Sequence, residues 1–256
     1  MLKARIIPTL LRKELGLVKG KNFKDLRRVT DVMPLIKIYN ARDVDEIILL
    51  DIENTIKSKP INMNFISGIA KELNVPFCYG GGITNFIDAK NILYSGADKI
   101  VLNSALYDNL NIINEISNYT GAQSIVISID VKKIDKKYYC FSHCGSKNRN
   151  INLFDFLQNL SSQKFGEIIL CSIDKEGTMD GYDLNLIKEV SSHINVPIIA
   201  SGGAGSYEDM FKALEFGASA VAAGTIFHFT ELTPSGAKRY LHKKGINIRD
   251  GFKFEY

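Results

Sequence analysis

Three aspartates stand where β-branched or apolar runs end. Leu50 leads into Asp51, Ile125-Val126-Ile127-Ser128-Ile129 leads straight into Asp130, and Cys171-Ser172-Ile173 leads into Asp174. A carboxylate at the C-terminal end of a strand is placed for general acid or base work, and burial beside an anion raises its pKa toward a working range. Asp130 is the best single candidate; an Asp that caps the following loop is the structural alternative. Gly80-Gly81-Gly82 and Gly202-Gly203 each follow an apolar run and precede a helical pattern. Glycine there lets backbone approach an anion while the next helix offers free N–H groups. Asn103-Ser104 and Gly224-Thr225 end the next run in each half and can complete a phosphate cradle, with plain turn chemistry as the alternative for any one pair. Two cradles in matching positions predict an elongated ligand with a phosphate at each end.

The opposite ends of the runs carry different chemistry. Arg5, Glu46, Lys99 and Glu167 open otherwise apolar strands, and four such charges could meet on an axis only as pairs. They are either a stabilising floor or a gate on an axial passage. The segment 12–31 carries Arg12, Lys13, Lys19, Lys21, Lys24, Arg27 and Arg28, a flexible basic lid for an anionic substrate or a solvated charge run. Cys78, Cys140, Cys144 and Cys171 form no CxxC pair, so reduced thiols are expected; Cys140 and Cys144 around His143 lack a second pair for a metal. No metal and no cofactor are predicted.

Elements must hold these groups in place. Strand-like runs are predicted at 4–10, 46–52, 76–80, 99–103, 124–130, 167–172, 197–201 and 220–224. Helical periodicity falls between them at 62–73, 87–95, 110–118, 153–161, 184–193 and 207–216. Alternation with short connections predicts an α/β fold, a single (β/α)8 TIM barrel, with ligands at the C-terminal strand ends. Asn74-Val75-Pro76, Gly81-Gly82 and Gly96-Ala97 recur as Asn195-Val196-Pro197, Gly202-Gly203 and Gly217-Ala218, and Glu46-Ile47-Ile48-Leu49 as Glu167-Ile168-Ile169-Leu170. The interval is always 121 (197 minus 76). The repeat predicts two similar half-barrels, about 1–123 and 124–249, followed by a C-terminal extension at 250–256. Phe252, Phe254 and Tyr256 there alternate with polar residues, as in an edge strand or a packed tail. The chain is 45% hydrophobic with few cysteines. That balance excludes a disordered chain or a disulfide scaffold. No window approaches the roughly 18 apolar residues of a membrane span, so a cytoplasmic protein with no membrane is expected. A net charge of +4 is too small to argue for nucleic acid.

Taken together, Ala4-Arg5-Ile6-Ile7-Pro8, Val18-Lys19-Gly20, Gly80-Gly81-Gly82-Ile83, Ser128-Ile129-Asp130, Gly177-Thr178, Gly181-Tyr182-Asp183 and Ala200-Ser201-Gly202-Gly203-Ala204-Gly205 resemble the HisF family, the cyclase subunits of imidazole glycerol phosphate synthase. The resemblance runs from residue 1 to about residue 249. It implies a barrel that receives ammonia from a HisH-like glutaminase on its N-terminal face and delivers it to a bisphosphorylated ribonucleotide at the top. Arg5, Glu46, Lys99 and Glu167 then match the family's gate, Asp98 its partner interface, and Lys19, Asp51, Asp174, Gly177 and Thr178 its substrate loops. The family pairs an aspartate closing strand one with one closing strand five. Here strand five keeps Asp130, but Leu11 stands at the other position. Leucine cannot transfer a proton, and losing one of an acid–base pair forfeits about 10²–10⁴ in rate.

The stretch Pro8-Thr9-Leu10-Leu11-Arg12-Lys13, with Cys78-Tyr79 and Ala222-Ala223-Gly224-Thr225-Ile226-Phe227, is more similar to a paralogous HisF-like branch tied to acetamidino modification of sugars in surface polysaccharides. That likeness implies an ammonia-channelling subunit of a glutamine-dependent amidotransferase, with a sugar amidotransferase as a further partner. An authentic cyclase of histidine biosynthesis is the alternative. A sibling sugar-phosphate isomerase built on the same repeat is a weaker third, since it too wants an acid at the end of strand one.

Overall fold

The computed structural model describes residues 3–14, 16–42 and 44–249. Eight parallel strands close into a barrel: β1 (Arg5–Lys13), β4 (Ile47–Asp51), β5 (Phe77–Gly80), β6 (Lys99–Leu102), β7 (Ile125–Ile134), β10 (Glu167–Ser172), β11 (Ile198–Ser201) and β12 (Ala220–Ala223). Closure comes from β10, which pairs with β7 as well as with β11. The helices α1 (Val32–Ala41), α2 (Ile52–Lys57), α3 (Met63–Glu72), α4 (Phe86–Tyr94), α5 (Asn111–Thr120), α6 (Leu153–Leu160), α7 (Leu184–His193), α8 (Tyr207–Glu215), α9 (Thr225–Phe229) and α10 (Pro234–Lys243) follow the barrel strands. All eight expected strands and all six expected helices form, within a few residues of the expected bounds. The 250–256 tail lies outside the described residues.

Strand side chains alternate between faces, and here the alternation sorts the core in two. Ile7, Ile48, Cys78, Val101, Val126, Ile169, Ile199, Ala220 and Ala222 pack together inside the barrel. Their neighbours, such as Ile6, Ile47, Leu49, Ile127 and Leu170, face the helices in a second, larger core. Both faces are buried, so the strands read as continuous apolar runs rather than alternating ones.

Two antiparallel hairpins extend the barrel strands at the C-terminal face. β2 (Gly16–Lys21) and β3 (Lys24–Asp31) pair beyond β1, and β8 (Lys137–Ser142) and β9 (Lys147–Asn152) pair beyond β7. The first forms over much of 12–31, where a flexible basic lid or a solvated charge run was expected; Lys13, Lys21, Lys24, Arg27 and Arg28 are exposed, as in a solvated run. Leu17 and Val18 are buried, and this anchoring turns the segment into an ordered flap with most of its cations outward. The second hairpin lies outside the expected elements. The turn that leads into it, between β7 and β8, is Asp135-Lys136, two consecutive residues in the left-handed region whose tight turn matches strand twist.

Candidate functional site

The same alternation orders the barrel axis into layers. Arg5, Ile7, Thr9 and Leu11 share one phase on β1; Glu46, just before β4, shares one with Ile48 and Leu50; Lys99 and Val101 on β6 share one with Asn103 just after it; and Glu167, Ile169 and Cys171 share one on β10. The first member of each series is a charge at the barrel floor. Arg5 Nη1 donates to Glu46 Oε2 (2.7 Å) and its Nη2 to Glu167 Oε1 (2.6 Å). Lys99 Nζ donates to both Glu46 oxygens (3.0 Å each) and to Glu167 Oε2 (3.2 Å). The result is a closed ring of alternating sign, which is how four partly buried charges can share one site. Burial raises the Glu46 pKa despite Lys99 and Arg5. Burial works to lower that of Lys99, but the Glu46 and Glu167 carboxylates outweigh it and raise it.

Asp98 sits outside the ring on the same face, in a shallow cleft with Asn74, Val75, Pro76 and Gly96. Its carboxylate accepts from the Phe77 amide (2.8 Å), so it also ties β5 to the turn before β6.

At the other end lies a cavity of about 820 Å³. Ile48, Val101 and Ile169 line its base, each two residues after a member of the charged ring, so one layer of side chains separates ring from cavity. Both glycine clusters reach it. Gly81, Gly82, Asn103 and Ser104 line one side, and Gly202, Gly203, Gly224 and Thr225 the other. Glycine is required at the turns, because Gly81 and Gly203 both hold a positive φ. A Cβ would lie 2.1 Å from Asp51 O at the first and 2.2 Å from Gly181 O at the second.

The two cradles are not equivalent. In the first, the Gly82 amide donates to Thr55 Oγ1 (3.1 Å), and Asn103 Nδ2 to Ser128 O and Asp130 Oδ2 (3.0 Å each). In the second, the Thr9 and Thr225 hydroxyls are buried with no hydrogen-bond partner among the described residues. Lys19 Nζ lies against Gly224, 2.0 Å from where a Cβ would be, and 3.7 Å from Glu176 Oε1. A buried hydroxyl without a partner costs free energy that an anionic ligand recovers. The second cradle therefore has unused donors and a cation, which the first lacks.

Asp130 is buried at the inward phase of β7, after Val126 and Ser128. Burial pushes its pKa up to about 7, the Asn103 hydrogen bond opposes that, and the Glu176 carboxylate adds to it. It is therefore poised to give or take a proton near neutrality. Leu11 lines the same cavity and pairs with Val18 and Leu50 on its neighbouring strands, an apolar wall where a second acid was wanted.

The remaining predicted residues divide. Asp51 lines the cavity, but it is ion-paired with Arg12 and caps α2 by accepting from the Glu53 and Asn54 amides. Its phase is opposite to Leu50's, which is why it meets Arg12 rather than the axis. Gly177 borders the cavity under the flap, where a Cβ would lie 2.0 Å from Gly20 O. Asp174 is exposed and accepts from the Lys133 amide (2.9 Å), and Thr178 Oγ1 donates to Lys175 O (2.9 Å); both shape loops away from the cavity lining. Sequence reasoning missed Glu176, although its place immediately before Gly177-Thr178 was the available signal. All four cysteines are free, and no group of three or more metal-ligating side chains occurs among the described residues. None of the described helices is long and apolar enough to cross a membrane.

Asn22 locks the flap over this site. Its amide donates to Glu176 O (2.8 Å), and its side chain to Ile173 O (2.9 Å) and Asp174 O (2.8 Å).

Residues 5–233 match the family model described as histidine biosynthesis protein. The chain is 38% identical over 249 residues to the imidazole glycerol phosphate synthase subunit HisF of Thermotoga sp. (strain RQ2), covering 97% of this chain and 98% of that one. It is 41% identical over 250 residues to the protein of the same name from Dictyoglomus thermophilum, covering 97% and 99%. With that of Sulfurisphaera tokodaii it shares 39% over 249 residues, covering 97% and 100%.

Proposed function

The chain belongs to the histidine biosynthesis protein family, in its HisF branch, and from that membership we propose that it is the synthase subunit of a glutamine-dependent imidazole glycerol phosphate synthase. It takes ammonia at the charged floor, passes it through the barrel, and joins it at the mouth to a bisphosphorylated ribonucleotide, releasing imidazole glycerol phosphate and aminoimidazole carboxamide ribotide. The observation that supports this most directly is the ring of Arg5, Glu46, Lys99 and Glu167 lying one side-chain layer beneath a cavity with a glycine cradle on each side. Neutral ammonia crosses an apolar layer at far lower cost than an ion would. The relatives are named as subunits, and the floor with Asp98 and its cleft is the face offered to a glutaminase. Gly202, Gly203, Gly224, Thr225 and Lys19 hold one phosphate; Gly81, Gly82, Asn103 and Ser104 hold the other; Asp130 moves the proton.

One observation favours a second reading. Leu11 removes one of the two carboxylates the family's chemistry employs. A subunit that kept its floor and relaxed its mouth would suit ammonia delivery to a separate sugar amidotransferase. The relatives' names favour the histidine reading instead, and none of those quoted mentions sugar modification. The assay that decides is direct: the purified chain with the bisphosphorylated ribonucleotide and ammonium salt. Turnover to imidazole glycerol phosphate supports the first reading; no turnover with ammonium in excess overturns it in favour of the second.

A further inference from the structure

We propose that His143 is a second proton-transfer residue of the cavity, serving where Leu11 supplies no carboxylate; the proposal rests on the cyclase reading above. Ring closure needs a donor and an acceptor, and Asp130 alone is one group. His143 stands at the tip of the β8–β9 hairpin and lines the cavity together with Ser104 and Asp130. Its backbone amide donates to Ser104 Oγ (3.1 Å), Ser104 Oγ to Asn103 Oδ1 (3.4 Å), and Asn103 Nδ2 to Asp130 Oδ2 (3.0 Å), so the turn that carries the imidazole is held in place relative to the carboxylate.

The imidazole is oriented. Its Nδ1 lies 3.0 Å from the hydroxyl of Ser142, a fully buried residue, and its Nε2 makes no hydrogen bond among the described residues. A base held at one nitrogen by a buried group and unengaged at the other is the arrangement that proton transfer uses.

Its backbone is held in an unusual state as well. His143 and Cys144 are consecutive left-handed residues ahead of Gly145, which also has a positive φ. That conformation costs non-glycine residues free energy and clusters at functional sites. The His143 carbonyl accepts from the Ser146 amide (3.2 Å) and hydroxyl (2.7 Å), which holds the turn. Phe23 of the flap packs on Gly145, where a Cβ would lie 2.8 Å from its ring, and so covers the turn from outside.

The other titratable groups facing the cavity are engaged. Asp51 is paired with Arg12, Glu176 lies beside Lys19, and Asp108 is paired with Arg149. Lys59 is paired with Glu53, and Asp88 accepts from Thr84. Burial pushes the Cys144 thiol up to about 12 and that of Cys171 well above its ordinary value.

The test compares His143→Ala and His143→Asn with the wild type, using ammonium salt and the bisphosphorylated ribonucleotide. Asparagine tolerates the left-handed backbone, so it keeps the turn if alanine does not. The expected result is a fall in kcat of about 10²–10⁴ in both variants with KM changed only a few-fold, loss of one limb of the pH–rate profile, and partial rescue of His143→Ala by added imidazole. Unchanged kcat and profile in both variants, or a rise in KM alone, overturns the proposal and leaves the cyclase reading standing. A wild type with no turnover overturns both.

Discussion

Replacing Asp130 with asparagine should stabilise the protein, and by an amount that depends on pH in a calculable way. Burial raises the Asp130 pKa from 3.8 to about 7. Each unit corresponds to about 1.4 kcal/mol, so ionising Asp130 in the folded state costs about 4 kcal/mol more than in the unfolded chain. Because the folded pKa lies above the unfolded one, the stabilising difference is fully present below about pH 4 and is lost as pH rises through about 7. Asparagine keeps the shape and a carbonyl for Asn103 Nδ2 but does not titrate. The stability gain of Asp130→Asn is therefore near zero at about pH 4, grows by about 1.4 kcal/mol per pH unit, and levels at about 4 kcal/mol above about pH 7. Urea unfolding of both proteins across this range measures the gain directly, with the m-value as a check that the unfolded states match. A difference that does not vary with pH refutes the claim that Asp130 is held protonated by burial. The same substitution should abolish proton transfer, a case in which stability is given up for a working carboxyl.

In the His143→Ala background, Leu11→Asp places a second carboxylate at an inward position of β1 and should raise cyclase turnover by about 10²–10⁴, read as imidazole glycerol phosphate formed with ammonium; no gain refutes the view that a second proton-transfer group limits the chemistry there. Lys99→Met leaves Glu46 and Glu167 facing Arg5 alone, and should lower stability by about 3 kcal/mol near neutrality and by less in acid, where the carboxylates protonate; thermal unfolding in mildly acidic and mildly basic buffer reads the sign. Thr225→Val removes a buried hydroxyl that has no partner among the described residues, and should raise the melting temperature while weakening inorganic phosphate binding several-fold by calorimetry. A lower melting temperature with unchanged binding would place that hydroxyl in a structural role instead.

Much of this architecture is legible in the chain. Eight apolar runs, their spacing and the 121-residue interval point to the barrel, because strands buried on both faces must be apolar throughout and crossover connections leave few topologies. Position along each run then places Arg5, Glu46, Lys99 and Glu167 at one end and Asp130 at the other, and the period of two turns them inward, without knowledge of any contact. Leu11 was likewise legible, as a departure from the pattern of the family that the chain resembles. Tertiary structure decided what depends on partners far apart in sequence. Asp51 and Asp130 look alike as strand-end carboxylates, yet one is ion-paired with Arg12, while the other is buried beside Asn103 and Glu176 and driven toward neutrality. The two glycine cradles are copies in sequence, yet Thr55 occupies the first while Lys19 and two unpartnered hydroxyls furnish the second. The run of cations over 12–31 reads as a basic lid or as solvated charge; most of it is solvated, and only the structure shows Leu17, Val18 and Asn22 pinning the segment down. Phase along a strand is a local property and can be read from the chain; charge, burial and hydrogen-bond satisfaction are sums over neighbours that only the closed barrel brings together.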